Sequence, residues 1–330
     1  MKRALVAVVG TVVLTVIAVF SIASAMRDGR AVGDAPLSLA RGPRLVALSS
    51  SPESRGRLLS ARTATPDRRT SLASLRPALG GLSCERFYAA NGTGLCLRLA
   101  KGFTTYQLVV LDAALRERRT IPLVGIPNRA RVSPSGRLVA WTVFVTGDSY
   151  NGGRFSTRVG ILDTRTQQLV PTLEDWAITV GGVRRRVPDA NFWGVTFARD
   201  DRRFYATMST GGRRYLVEGD LFARTIRTIR DNVECPSLSP DGTRIAFKSA
   251  LGGDPSRGWR LSVLDLATMR ETPLAETRSV DDQAAWLDDH SVAYAIARGR
   301  GRSDVWTVAA DGTGRPALLL HDAYSPASLN

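Results

Sequence analysis

Lysine is almost missing from this chain of 330 residues. Lys2, Lys101 and Lys248 are the only ones, so arginine carries nearly all of a Lys+Arg total of 45 and a formal charge of +15. Histidine is as scarce, with His290 and His321 alone. There is no GxSxG elbow, HExxH helix, GxxxxGK phosphate loop or EF-hand loop, so the sequence offers no motif for serine hydrolysis, zinc proteolysis, nucleotide binding or EF-hand calcium. The three cysteines, Cys84, Cys96 and Cys235, form neither CxxC nor a Cys/His cluster, which excludes the common zinc patterns. In an oxidising compartment a Cys84–Cys96 bridge would leave Cys235 free; three reduced, buried thiols are the alternative. No enzyme class is indicated.

Helix-period segments are also lacking after residue 42. Before it, Met1-Lys2-Arg3 gives a positive start, and no charge occurs from Ala4 to Ala25. Eleven of the residues between Leu5 and Phe20 are Leu, Val, Ile or Phe. At roughly −0.3 to −0.6 kcal/mol each, they favour membrane insertion by several kcal/mol. Ala23-Ser24-Ala25 has the A-x-A form of a signal cleavage site, while the run nearly reaches the ~20 residues that span a bilayer. Residues 1–25 therefore read as an apolar helix, either a signal peptide or a retained anchor, that sends the rest outside the membrane. Residues 26–42, with Gly29, Gly33 and Pro36, read as a flexible tether.

From residue 43 onward a strand–turn–strand unit recurs at intervals of about 40–65 residues, the signature of a repeat fold. The clearest copies are LSPDGTRIAFK (238–248) and VSPSGRLVAWT (132–142). Looser ones are YAANGTGLCLR (88–98), FARDDRRFYAT (197–207) and WLDDHSVAYAI (286–296). In each, a short apolar strand meets a turn rich in Ser, Pro, Asp, Asn or Gly, which closes an antiparallel hairpin. His290 takes the turn position filled by Gly242 and Gly136 elsewhere, where an exposed side chain is expected. An apolar triplet follows the turn, such as Val139-Ala140-Trp141 or Ile245-Ala246-Phe247. A third strand then ends on Asp112, Asp163, Asp220, Asp265 or Asp311, and a polar fourth strand blunts the edge.

Four antiparallel strands per unit make the blade of a β-propeller. Five blades are accounted for in this way. A sixth falls in residues 43–75, where PRLVALSS, GRLLSART and RRTSLA supply three strands and no innermost one. The tail YSPASLN (324–330) is a spare strand, predicted to close the ring by joining the first blade. The expected fold is thus all-β, a six-bladed propeller over 43–330 with four-stranded antiparallel blades, after the amino-terminal apolar helix.

At Ser239-Pro240-Asp241-Gly242, and more weakly at Ser133-Pro134-Ser135-Gly136, the sequence resembles the TolB-like six-bladed propellers with WD40-like repeats. NFWGVTFARDDRRFYAT (191–207), NVECPSLSPDGTRIAFKS (232–249) and SVDDQAAWLDD (279–289) are similar to an exported actinobacterial group of that family. The resemblance implies an extracytoplasmic, non-catalytic module that binds a protein or an envelope polymer, in envelope maintenance or translocation. No α/β domain is expected ahead of the propeller, because only the tether separates Ala25 from Pro43.

Alignment of the repeats places Cys84, Asn128, Trp193, Glu234 and Asp282 at one level of the inner strands, with Asp281 and Asn191 beside them. They are expected to converge at one mouth of the channel. Carboxylates with Asn are hard oxygen ligands that suit Ca²⁺, which makes a calcium-dependent hydrolase or lactonase the competing reading. Ordinary polar strand ends, bonded to loop backbone, are the plainer one. Glu174 to Asn191 reads as an inserted hairpin turning at Gly181-Gly182. It is expected to project from a propeller face with Arg184, Arg185 and Arg186 on its returning strand, facing an acidic partner. The Gly-rich loops at 147–153 and 252–258 are weaker contact candidates. Nucleic acid is not expected as a partner, since no aromatic residues interleave with the arginines and export removes the chain from it. A monomer is expected.

Overall fold

The structure is a computed structural model, which describes residues 37–63, 77–100, 102, 105–145 and 156–330. The apolar run at 4–25 and most of the tether fall outside the described residues, as do the RRTSLA strand and the 147–153 loop. Among the described residues no helix is long and apolar enough to cross a membrane.

Six sheets follow one another along the chain. The first blade contains β1 (Arg44–Ser49), β2 (Arg57–Arg62) and β3 (Ala78–Ser83). The second contains β4 (Arg86–Ala90), β5 (Thr93–Leu99), β6 (Tyr106–Leu111) and β7 (Glu117–Leu123). The third is β8 (Ile126–Val132), β9 (Leu138–Val145), β10 (Ser156–Asp163) and the two-residue β11 (Leu169–Val170). The fourth takes β12 (Ala177–Val180), β13 (Val183–Arg185), β14 (Asn191–Phe197), β15 (Arg203–Thr210), β16 (Arg213–Asp220) and β17 (Thr225–Asp231). The fifth is β18 (Glu234–Leu238), β19 (Arg244–Ala250), β20 (Trp259–Asp265) and β21 (Glu271–Pro273). The sixth is β22 (Ala285–Trp286), β23 (Ser291–Gly299), β24 (Arg302–Ala309) and β25 (Ala317–Leu320).

The last strand, β26 (Ala323–Ser328), pairs antiparallel with β1, with Leu45 opposite Ser328 and Ser49 opposite Ala323. It supplies the innermost strand that the first blade lacks, so the tail latches the ring as its sequence suggests. The outer strand of that blade is Ala78–Ser83, a Gly-Gly segment without strand-like alternation. Gly80 lets Leu37 pack directly on the strand, where a Cβ would lie 2.5 Å from Leu37 Cδ1. The packed unit begins at Leu37. Leu39 is buried between the first two blades, and its amide donates to the Ala113 carbonyl at 2.8 Å.

Turn chemistry explains the hairpins. Ser239 and Ser133 each accept, at their carbonyls, the amide three residues on, from Gly242 and Gly136, whose φ values are 77° and 78°. Only glycine takes up that conformation without strain. The β22–β23 turn differs from the expected match: Leu287 N donates to Ser291 O, a span one residue shorter than Ser239 to Arg244. His290 is exposed there but does not occupy the left-handed glycine position. The aspartates that end the third strands cap the next turn. Asp112, Asp163, Asp220, Asp265 and Asp311 each accept from backbone amides two to four residues on. Amide donors at these turns help hold their carboxyls below the usual range, to about 2 for Asp112 and Asp220.

Six apolar clusters lie between neighbouring blades, one at each interface around the ring. The triplets after each turn supply much of them: Leu95, Ala140, Phe204, Ile245 and Ala293 are all at most 2% exposed. Alternation along each strand sends successive side chains to the two flanking interfaces.

The inserted hairpin is present, with Val180 opposite Val183, but its placement differs from expectation. Instead of projecting from a face, β12 pairs parallel with β17, Ile178 opposite Ile226, and extends the fourth blade to six strands. Ile178 and Trp176 are buried in the interface between the third and fourth blades, so their apolar contact directs the hairpin outward along the blade. Arg184, Arg185 and Arg186 are exposed there.

Candidate functional site

Inner strands set the axis of a propeller, and here they carry a shared irregularity. Pairing with the second strand shifts between Pro127 and Arg129, between Trp193 and Thr196, and between Glu234 and Ser237. Gly194, Cys235 and Ser325 have φ of 65°, 50° and 51°, the left-handed conformation of a G1-type β-bulge. Threonines from second strands satisfy the freed backbone: Cys235 N donates to Thr207 Oγ1 at 2.9 Å and Gly194 N to Thr142 Oγ1 at 3.4 Å. The bulges turn the residues on either side, which fixes what each end of the channel presents.

The residues singled out from sequence lie at the end where the inner strands begin, and that end is filled. Asn128 Oδ1 accepts from Arg129 Nη1 at 2.7 Å, and the Asn128 carbonyl accepts from Arg86 Nε at 2.7 Å. Asp281 is ion-paired with the buried Lys248 and lies 3.9 Å from Arg129. Glu234, 4% exposed, has Oε1 2.6 Å from Arg214 Nε, an ion pair without hydrogen-bond geometry. Asp282 Oδ2 accepts from Ala295 N at 3.0 Å. The four thus belong to one network, joined through Arg129, Lys248 and Arg86. Asn191 is outside it: its Oδ1 accepts from Thr157 N and Oγ1, at 2.9 and 2.6 Å, tying β14 to β10. Trp193 is half-buried on the same strand.

Electrostatics set the chemistry of this network. Burial pushes the Glu234 carboxyl up to about 7, against the opposing pull of Lys248 and Arg214. Asp281 is largely exposed, and Lys248 and Arg129 beside it hold that carboxyl below its usual value. A calcium cradle needs several oxygen ligands turned to one point. Here two of the carboxylates face cations, Asn128 faces a guanidinium, and the Asp282 oxygen takes a backbone amide. The residues do not fit a calcium ion, and among the described residues no group of three or more His, Cys, Asp or Glu could hold a metal.

Cys84 is not a channel ligand either. Its sulfur is bonded to Cys96 at 2.02 Å, with the Cα atoms 5.5 Å apart. The bridge staples the entry of β4 to β5 inside the second blade, and Cys235 stays free and buried. His321 is exposed, with Nδ1 3.6 Å from Asp304 Oδ1. The loop at 252–258 forms two short 3-10 turns, Leu251–Gly253 and Pro255–Arg257.

The opposite end, where the inner strands finish, is open. A cavity of about 550 Å³ lies there, and its walls include Tyr88, Arg131, Phe197, Arg199, Trp286 and Asp288. Its rim is made by the repeat turns themselves, Pro134-Ser135 and Ser239-Pro240 among them. The cavity is blind because side chains cross the axis beneath it. Arg131 Nη2, on the third blade, donates to the Ala284 carbonyl ahead of the sixth, at 3.2 Å. Gln283 Nε2 donates to Val195 O and Pro236 O, at 3.2 and 2.8 Å, on the fourth and fifth blades. Trp286 Nε1 adds a bond to Ser237 O at 2.8 Å.

Sequence reasoning missed this end and the buried cations. One signal was available: Arg129 and Arg131 are two apart in an inner strand, so strand period puts two cations on the same face of the strand that borders the axis.

No protein-family model matches the chain, and no curated relative matches it. Solved structures do. TolB from Acinetobacter baumannii superposes with a TM-score of 0.61 at 16% identity, over 86% of this chain and 66% of that one. The present chain therefore spans just under two thirds of that protein's length. A chain of a nidogen/laminin complex gives a TM-score of 0.55 at 11% identity, over 86% and 97% of the two chains. A putative TolB from Agrobacterium tumefaciens gives 0.48 at 13% identity, over 86% and 90%. At such identities the likeness is one of fold.

Proposed function

We propose that this chain, which has the TolB-like six-bladed propeller fold, is a non-catalytic module that binds a protein outside the cytoplasmic membrane. The open end of the ring makes the contact. The observation that carries the reading is the blind cavity of about 550 Å³ whose rim is built from the repeat turns. Loops on a rigid scaffold are where recognition concentrates, and a fold of this kind does not name the ligand by itself. The polar residues at the other end are committed to one another, which leaves that end a structural role. Arg184, Arg185 and Arg186, exposed at the outer edge of the fourth blade, add a surface suited to an acidic partner or an anionic envelope polymer. Export rests on residues 1–25: a basic start, an uncharged apolar run and Ala23-Ser24-Ala25. The run serves as a signal or as an anchor to the outer face of the membrane, and the propeller works as a monomer.

Photo-cross-linking in intact cells tests this. A cross-linker placed at Arg199 or Asp288, both exposed at the rim, should trap a discrete protein adduct; one at Arg119, exposed on β7, should not. Adducts from Arg119 alone, or none from the rim, would refute the assignment. Protease added to spheroplasts should digest the propeller without lysis.

A further inference from the structure

We infer that the blind cavity is a binding site for a carboxylate group, with Arg131 as the residue that takes the anion. The inference deepens the binding reading above and rests on the same open end.

Arg131 is 4% exposed, yet it has no carboxylate partner among the described residues. Its side chain makes one hydrogen bond, to the Ala284 carbonyl, and its Nε is buried without any. The guanidinium carbon lies 4.2 Å from the centre of the Tyr88 ring, which offsets part of the desolvation but supplies no negative charge. The buried cations at the other end each have a carboxylate near them: Lys248 is paired with Asp281, and Arg129 lies 3.9 Å from the same group. Arg131 meets the open cavity with no carboxylate beside it among the described residues, and it is the buried one of the arginines that line it.

The surroundings favour an anion with an apolar body. Tyr88, Phe197 and Trp286 line the cavity, and Arg199 stands at its rim with no carboxylate partner among the described residues. Asp288 and Asp289 also line it, and they act against an anion at the rim. Their charge is directed into turns, however: Asp288 Oδ1 accepts from His290 N and Ser291 N, and Asp289 Oδ1 from Asp241 N. They belong to the turn between the strands of the sixth blade and stand at the rim, whereas Arg131 is buried beneath it. A planar carboxylate matches a guanidinium in shape and charge. It would come either from a free aromatic acid or from the carboxyl terminus of a peptide.

The purified full chain is titrated calorimetrically with 3-phenylpropanoate and with acetyl-Ala-Phe bearing a free carboxylate, each beside its primary amide, and with inorganic phosphate. The acid should bind at least about tenfold more tightly than its amide, the difference expected of a charge-assisted pair. Arg131→Met should erase that difference without lowering the melting temperature, because an apolar isostere replaces an uncompensated buried charge. Arg131→Lys keeps the charge, should retain part of the preference, and serves if the methionine variant does not fold. Preference for the free acid alone or the peptide acid alone supports the site and names its source. Equal binding of acid and amide, an unchanged preference in Arg131→Met, phosphate binding as tight as carboxylate, or no saturation by any probe overturns it. Rim cross-links that persist in the last case would leave the protein-binding reading standing while this one falls.

Discussion

Replacing Glu234 by glutamine should make the protein more stable, and increasingly so as pH rises. Glu234 is 4% exposed, and burial lifts its carboxyl from 4.5 to about 7. An acid whose folded pKa exceeds its unfolded one contributes most while protonated, below about pH 4.5, and that contribution is lost as pH climbs through about 7. The gap corresponds to at most about 3 to 4 kcal/mol, at 1.36 kcal/mol per pKa unit. Glutamine keeps the shape and cannot ionise. The stability difference between variant and wild type should therefore be flat near pH 4, open between about 5 and 7, and level off near pH 8, by 1 to about 3 kcal/mol. Urea unfolding of both chains across that range measures it, and subtraction cancels groups common to both, Asp281 among them. A difference independent of pH, or one that closes as pH rises, would refute the burial argument. The same melts run with added calcium check the cation fit. A calcium site using Glu234 would stabilise wild type by mass action; the expected shift is none.

Two further perturbations probe the scaffold. Gly219→Ala puts a Cβ 2.0 Å from the buried Phe204 ring, which already meets Trp176 edge-on at 5.8 Å; overpacking should cost about 1–3 kcal/mol, read as a lower melting temperature. Gly81→Ala, with nothing within 4 Å of the added carbon, should be neutral or stabilising by roughly 0.5 kcal/mol, and equal effects of the two would contradict the packing account. Truncation after Asp322 removes β26 and uncovers the partners of Ala323, Ala327 and Leu329, all at most 2% exposed. The loss should be on the order of 4 kcal/mol, and a truncated chain that still unfolds cooperatively at the wild-type temperature would refute closure by the tail.

The scaffold was legible because its signals are local. Turn residues at Ser239-Gly242 and Ser133-Gly136, an apolar triplet after each, and an aspartate at the end of each third strand all report on contacts within a few residues. The tail could be placed because the first blade visibly lacked one strand. Segments whose position depends on distant packing were not legible. The Gly80-Gly81 edge strand carries no alternation; Gly80 admits Leu37, whereas Gly81 faces open space. The Arg184–Arg186 hairpin reads correctly as a hairpin, but the burial of Trp176 and Ile178 between blades, which directs it along the sheet edge, is a long-range fact.

The channel shows why repeat alignment found a level in the ring and misjudged its chemistry. Alignment puts Asn128, Glu234 and Asp282 at one depth, and the structure does join them in one network. What that network does, however, is decided by residues that the repeats do not share. Lys248 comes from a second strand, Arg214 from a third, and Arg129 and Arg86 from two different inner strands. Each brings a positive charge or a donor to an oxygen that would otherwise have been free for a metal. Conversely, the bulges at Gly194, Cys235 and Ser325 shift the strand parity partway along, so side-chain direction cannot be carried from one end of an inner strand to the other by counting in twos. Arg131 lies beyond its strand's bulge, crosses the axis to Ala284 and closes the channel. Because the plug separates the ends, the filled one holds blades together while the open one stays available to a ligand. A ring built from near-equivalent units thus acquires two unlike ends through its unrepeated arginines.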